Sequence, residues 1–457
     1  MDLSGPLDFE LEDPFLASPA IDKKKRKKVI GLDDLLADHY SEQEKLVQKK
    51  FQQEKARKVV DSDDDDDGSK AIQAIVEKCQ NEIQSISGEE ETSVWGVQVF
   101  GNQKVSPPLD FPELGNCKLM QSFLNNKLNS MLELTEIEGG TFFEGLLKNG
   151  WLLKLAFMCG HVEKPIATWA FNLMLYSSEE DLRTSSCDFL CSILSSTYEV
   201  NKRPVKIDWL PDYHELRRAL EIYGFLFNFS TNSDPIHNDS DFGGPPQNIR
   251  AWIQFVTTCC QIRNKHSIFS TTEAEELVEI IICLFLDRQL QGLLVLMCDC
   301  MQSVVSYFTG TEWSSSCESI AKFISSRVSI DINSLRTVEC ISGLDTRTKQ
   351  LRSAIAYQIL LVCFDNKVAG GDEIMRSLIS INLKDKSCDL FKMYIYLVLT
   401  ENWLLSNQML EDKPVIKEMF GLYLRNCSCQ ISSTDLRTYS AKIRVKASYL
   451  LQFALYK

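Results

Sequence analysis

An all-α body preceded by a charged arm is the fold class this sequence predicts, and three observations predict it. From about Glu113 to Lys457, apolar residues recur at i, i+3, i+4 and i+7, the period of helices with one buried face. Helix start and stop signals punctuate that stretch at short intervals. Residues 1–70 have the opposite composition, with blocks of like charge, Pro6, Pro14 and Pro19, and few aromatics. Such a segment cannot bury enough apolar surface to fold alone, so a disordered arm is expected.

Taken in order, the arm opens with a basic block, Lys23, Lys24, Lys25, Arg26, Lys27 and Lys28. Leu32-Asp33-Asp34-Leu35-Leu36 follows, and Ser62 leads an acidic block that ends at Asp67. Residues 32–58 lack Pro and Gly and are rich in Glu, Gln, Lys and Leu, so a short helix is expected there when bound. Its apolar face is too thin for an independent fold. A connector over 71–112 is expected to start with a helix from Ala71 to Ser85 and to run extended from Thr92 to Phe111. Val94, Val97, Val99 and Val105, interrupted by Gly96, Gly101, Pro107 and Pro108, suit one short hairpin there.

The body is marked at 230–248 by a stretch rich in Ser, Asn, Asp, Gly and Pro. That stretch either separates two helical lobes, 113–229 and 249–457, or is a long surface loop within one body. Roughly a dozen or more helices of about 12–22 residues are expected, joined by short connections. Leu277, Ile280, Ile281, Leu284 and Phe285 form the clearest buried stripe, and Thr272-x-x-Glu275 reads as its capping box. Asp212-x-x-Glu215 opens a second helix towards Leu216, Leu220 and Tyr223. Pro414 suits a first helical turn, while Ser342-Gly343 and Gly370-Gly371 mark turns between helices. No repeat of fixed period appears, so an irregular HEAT-like body is expected rather than a regular array.

Composition bounds the function. A net charge of -14 excludes a protein whose whole surface binds nucleic acid or anionic membrane. No N-terminal apolar leader is present, and the apolar run at Ile280–Leu286 is far short of the ~20 residues that span a bilayer. A soluble intracellular protein with no membrane or small-molecule partner is the expectation. The 16 cysteines are scattered through apolar helical patterns, as at Cys283 and Cys363, and read as reduced core residues. Cys298-x-Cys300 and Cys427-x-Cys429 lack further ligands at zinc spacing, so neither metal nor cofactor is expected. The histidines, His39, His161, His214, His237 and His266, fall in no known catalytic motif, and there is no phosphate-binding glycine loop. No catalytic residue is expected.

What remains is recognition. The basic block suits a nuclear import receptor, with a nonspecific nucleic-acid tail as the alternative. Leu32, Leu35 and Leu36 share one side of a short helix, the geometry of docking into a partner's groove. Packing against the chain's own body is the equal alternative, and the same motif would also suit a nuclear transcriptional co-regulator or a helical scaffold. Ser62, followed only by acidic residues through Asp67, matches a casein-kinase-type phosphoacceptor, with an unmodified acidic linker as the alternative. Near the C-terminus, Arg437, Lys442, Arg444 and Lys446 with Tyr439 and Tyr449 suit local contact with a DNA backbone. The acidic body favours the other reading, a terminal helix with its charges in water and Ile443, Leu450 and Leu451 packed inward.

The arm with its basic block and Leu-Asp-Asp-Leu-Leu, joined to a helical body containing His161-Val162-Glu163-Lys164-Pro165, resembles the Nse-six-like subunits of the Smc five/six complex. That family is related to the animal localisation factor with the CANIN domain, and its plant member, partner of an Nse-five-like resistance regulator, is nearest in layout. The resemblance spans about Glu113–Lys457 plus Leu32–Lys58. It implies a nuclear, non-enzymatic subunit that forms a lasting heterodimer with an Nse-five-like helical protein. It further implies binding to the Smc five/six core subunits, control of their engagement with DNA, and a role in DNA repair. Leu32, Leu35 and Leu36 would then anchor the arm's contact.

Overall fold

Short polar side chains mark the starts of six helices, because each can accept a hydrogen bond from an otherwise unpartnered first-turn amide. A computed structural model of the chain describes residues 95–109, 114–124, 140–195, 205–227, 245–364, 370–406 and 413–455. Within them lie sixteen α-helices. The first group is α1 (Lys118–Leu124), α2 (Gly140–Lys148), α3 (Trp151–Cys159), α4 (Lys164–Tyr176), α5 (Glu180–Ser195) and α6 (Tyr213–Ile222). The middle group is α7 (Ile249–Gln261), α8 (Thr271–Leu286), α9 (Leu294–Tyr307), α10 (Gly310–Arg327) and α11 (Ile332–Glu339). The last is α12 (Thr346–Cys363), α13 (Gly371–Ser380), α14 (Leu390–Leu405), α15 (Pro414–Cys429) and α16 (Ser440–Leu455). β Structure among the described residues is a two-residue parallel pair, β1 (His161–Val162) with β2 (Lys206–Ile207), and one isolated bridge between Phe100 and Phe225. The body is all-α.

Asp212, Asp331, Asp345 and Asp389 cap α6, α11, α12 and α14 through their carboxylates. Full capping boxes open α8 and α10, Ser270 with Glu273 and Thr309 with Glu312. The box of α8 therefore lies two residues before the expected Thr272-x-x-Glu275. Both spacings satisfy the pattern, but Ser270 is the residue with extended backbone, and it directly follows the buried Phe269. Pro414 occupies the first turn of α15 as expected.

Helix α8 is apolar on every side from Ile280 to Leu286, and all of those residues are buried. A helix of that kind must lie inside. It packs against α9, α10 and α11. Elsewhere α4 packs on α5, α5 on α7, α7 on α9, α10 on α12, α12 on α14, and α15 on α16. Each substantial helix pair among the described residues lies within three positions in helix order. That is the local stacking of a solenoid, without a fixed repeat.

Residues on both sides of 230–248 belong to one compact unit, Gln84–Lys457, and residues 228–244 lie outside the described residues. Arg183 on α5 donates to the carbonyls of Ser177 (3.2 Å) and Ser178 (2.7 Å) and to Gln247 (3.0 Å). Asn248 donates to Met174 and Ser177, and the Tyr223 hydroxyl donates to Leu175 at 2.6 Å. The free carbonyls at the end of α4 are thus satisfied from both flanks of that stretch.

Residues 95–104 form no hairpin of their own. They run as an extended strap across the body. Val97 donates to the Leu286 carbonyl (2.9 Å), Gly101 to Gly224 (2.8 Å) and Lys104 to Ile222 (2.8 Å), while Leu226 donates to Val99 (2.9 Å). The partners are remote in sequence because a sheet edge can be completed by any exposed backbone. Two glycines permit the approach. Gly224, at φ +83°, would place a Cβ 2.7 Å from the Asn102 carbonyl oxygen, and Gly96, at φ +113°, one 2.6 Å from Arg288.

One stretch, Arg288–Tyr307, is long and apolar enough to cross a membrane by length and composition. It begins as a 3-10 turn, and the inner face of α9 packs Met297, Met301, Val304 and Val305 into the core.

Candidate interaction surfaces

The basic block Lys23–Lys28, the leucines Leu32, Leu35 and Leu36, and Ser62 all lie outside the described residues, as does the expected helix from Ala71 to Ser85. The C-terminal cations lie within them. Arg437 forks onto Asp435 and donates to the carbonyls of Leu383 (2.9 Å), Asp385 (2.7 Å) and Cys388 (3.4 Å). Its guanidinium clamps the loop before α14 to the entry of α16. Arg444 donates to the Ser432 carbonyl at 2.8 Å, and Lys446 pairs with Glu401 on α14 at 2.6 Å. Lys442 stands over the Tyr439 ring, 4.7 Å from its centroid. All four cations therefore have partners within the body. Ile443 and Leu450 are buried as expected, and Leu451 is partly buried against them.

Tyr439 has the left-handed backbone, φ 68°, that a non-glycine residue seldom adopts. Its ring is held between Phe391 (5.0 Å) and Tyr394 (5.3 Å), so packing stabilises what the backbone alone disfavours.

The His161-Val-Glu-Lys-Pro segment is a structural junction. Gly160 ends α3 in a left-handed cap, and His161 Nε2 pairs with Asp208 Oδ2 at 2.7 Å. That pairing holds the Asp208 carboxyl below its ordinary range. Glu163 accepts from the first amides of α1, Lys118 and Leu119, at 3.1 and 3.3 Å, and Pro165 sits in the first turn of α4. Five consecutive residues join α1, α3, β2 and α4.

Among the described residues, clefts open on the surface, and two have aromatic or charged linings. One of about 390 Å³ lies among α10, α12, α13 and α14, lined by Cys317, Ala321, Ala354, Tyr357, Gly371 and Trp403. Tyr357 and Trp403 stack at 5.1 Å, and a Cβ on Gly371 would lie 2.9 Å from the Trp403 ring. The second, about 260 Å³, is lined by Arg217, Phe227, Glu275, Glu276, Glu279 and Arg327. Arg217 covers the Phe227 ring and pairs with Glu276 at 3.0 Å, and Arg327 covers Phe323. Burial pushes the Glu279 carboxyl up to about 8, with Arg327 opposing and Glu276 and Glu275 adding to the rise. Neither cleft was visible in the sequence, because each is assembled from side chains on three or more separate elements.

Apolar side chains stay uncovered on the last two helices. Val415 and Leu422 on α15 are 60% and 44% exposed, and Val445 and Tyr449 on α16 are 65% and 56% exposed. Among the described residues, no group of three or more His, Cys, Asp or Glu is arranged to hold a metal. Fifteen cysteines there are free thiols.

No protein-family model, no curated protein and no solved structure matches this chain.

Proposed function

We propose that this chain is a regulatory subunit of the Smc five/six complex, acting in DNA repair and genome maintenance. Its helical body pairs with an Nse-five-like helical protein, and its arm reaches the Smc core. The observation that carries the reading is a pair of exposed apolar side chains on each of α15 and α16. Val415 and Leu422 stand two turns apart on one helix, and Val445 and Tyr449 one turn apart on the other, each pair on a single side. Apolar side chains grouped at helical spacing on an otherwise acidic protein suit a lasting helical partner. In this reading the protein acts by binding rather than by catalysis and takes no cofactor. Lys23–Lys28 direct it to the nucleus, and Leu32, Leu35 and Leu36 contact the core subunits.

Affinity purification of the full chain followed by mass spectrometry tests the reading. The expected result is recovery of an Nse-five-like protein and Smc five/six subunits; their complete absence removes it. Changing both Val415 and Leu422 to Asp should weaken retention of the Nse-five-like protein by roughly tenfold or more, since charge in an interface core is strongly disfavoured. Changing Leu32, Leu35 and Leu36 to Ala should spare that pairing and abolish retention of the core. Recovery of receptor or histone-modifying proteins through the same leucines would favour a nuclear co-regulator instead.

A further inference from the structure

Helix α5 carries Cys187 and Cys191 one turn apart, with their sulfurs 3.8 Å from each other. Cys187 is 1% exposed, and Cys191 is partly exposed at the edge of the α5–α7 contact. A partly buried thiol thus stands beside a fully buried one. We infer that Cys187 and Cys191 form an oxidative modification site, in which a hydroperoxide attacks Cys191 and Cys187 resolves the product to a disulfide.

The chemistry follows from the arrangement. The Cys191 thiolate displaces hydroxide from the hydroperoxide, so that Cys191 becomes a sulfenic acid and the peroxide O–O bond is broken. The Cys187 sulfur then attacks Cys191 sulfur. Water leaves, carrying the sulfenic hydroxyl and the Cys187 proton, and the S–S bond forms. One peroxide takes the two electrons given up by two thiols. Exposure assigns the roles, since Cys191 is the partly exposed thiol and Cys187 the buried one. The hydrogen bond shared by the two sulfurs holds the Cys191 thiol below its ordinary range against the opposing effect of burial, and Thr258 on α7 adds to the lowering. Cys187 is raised, first by that same hydrogen bond and then by burial. Asp188, on the same helix, raises both thiols, and Cys259 on α7 adds to the rise at Cys187.

Helix geometry permits the bond and makes it consequential. Residues four apart on a helix have Cα atoms about 6.2 Å apart, within the range that disulfides span. Their Cβ atoms stand about 5–6 Å apart and must close to roughly 4 Å, so the turn tightens as the bond forms. Cys187 also donates to the Ala251 carbonyl of α7 at 3.6 Å, a contact the disulfide removes. Oxidation therefore acts on the packing of α5 against α7.

The test uses the full chain, titrated with hydrogen peroxide, unfolded, alkylated with iodoacetamide and digested with trypsin. Residues 184–202 hold both cysteines in one peptide. That peptide is expected to lose two hydrogens and refuse alkylation at both positions, and to regain both on reduction. It should do so roughly tenfold faster than peptides carrying the fully buried Cys259 or Cys300, since buried structural thiols are inert. In Cys187→Ser, dimedone should label Cys191; in Cys191→Ser, Cys187 should stay a thiol. Oxidation of residues 184–202 no faster than the buried cysteines, or a product other than the internal disulfide, overturns the inference. The wild-type time course decides alone if either variant fails to keep its helical circular dichroism.

Discussion

The two ends of the described body are fastened by different means. At the N-terminal end, the strap over residues 95–104 is held chiefly by backbone hydrogen bonds to Leu286, Gly224 and Ile222, and two glycines let the chains approach. At the C-terminal end, α16 is held by side chains: the Arg437 fork on three carbonyls, the stacked Tyr439 and the Lys446–Glu401 pair. The strap adds buried Val99 and Phe100 to those bonds and tolerates change at its exposed side chains, but no added carbon at the glycines. Side-chain fastening depends on a few residues and leaves the outer face of α15 and α16 free to vary. The difference teaches where a partner can be accommodated without loosening the fold.

The largest effect should come from Gly224→Ala. The new Cβ meets backbone oxygen at 2.7 Å, where nothing flexible can yield, and the left-handed backbone adds its own penalty. A loss of roughly 3 kcal/mol is expected in denaturant unfolding, together with faster proteolysis near residues 95–104. Unchanged stability would mean the strap is not held as described. Next comes Arg437→Ala, expected to cost about 2 kcal/mol because it leaves three carbonyls without their charged donor. Lys442→Ala, five residues on in α16, should cost only about 0.5 kcal/mol, the value of an exposed cation over a ring. Equal effects from the two would dissolve the distinction between clamp and surface.

The smallest effect is a pH dependence midway between the two ends. The Glu312 carboxyl is held at about 2, first by the amide and hydroxyl of Thr309, then by Arg263 and Thr271. It joins the end of α7 to the starts of α8 and α10. Its folded value lies below the unfolded one, about 4.3, so its stabilisation is complete above that pH and fades as pH falls towards 2. The difference in urea midpoint between wild type and Glu312→Gln should be constant near neutrality and close across that window. A difference that persists to pH 2 would assign the effect to packing instead.

Much of this fold was legible in the sequence. The stripe through Leu277 and Phe285 gave α8, Asp212 gave the start of α6, and Pro414 gave the start of α15, because those signals are local. The box at Ser270 was displaced because two overlapping spacings obey the same rule and only burial of Phe269 distinguishes them. A hairpin at 92–111 was expected because valines and glycines announce extended chain; they cannot announce that the partner backbone lies at 222–226 and 286. The cations from Arg437 to Lys446 read as a charged face because the carbonyls of residues 383–388 lie opposite only in three dimensions. The pairing of Cys187 with Cys191 is hidden in the sequence for a simpler reason. Their four-residue spacing matches no metal pattern, and it becomes meaningful only once a helix sets both thiols on one side.

The strap has a mechanical consequence. A pull on the chain from the N-terminal side does not arrive at α1, the first helix of the body. It arrives at Trp95, gripped between Arg288 and Arg336, and at the bonds that join residues 96 and 97 to Asn333 and Leu286. Tension is thus delivered to the buried ends of α8 and α11, across hydrogen bonds loaded in parallel, while the outer helices stay unstressed.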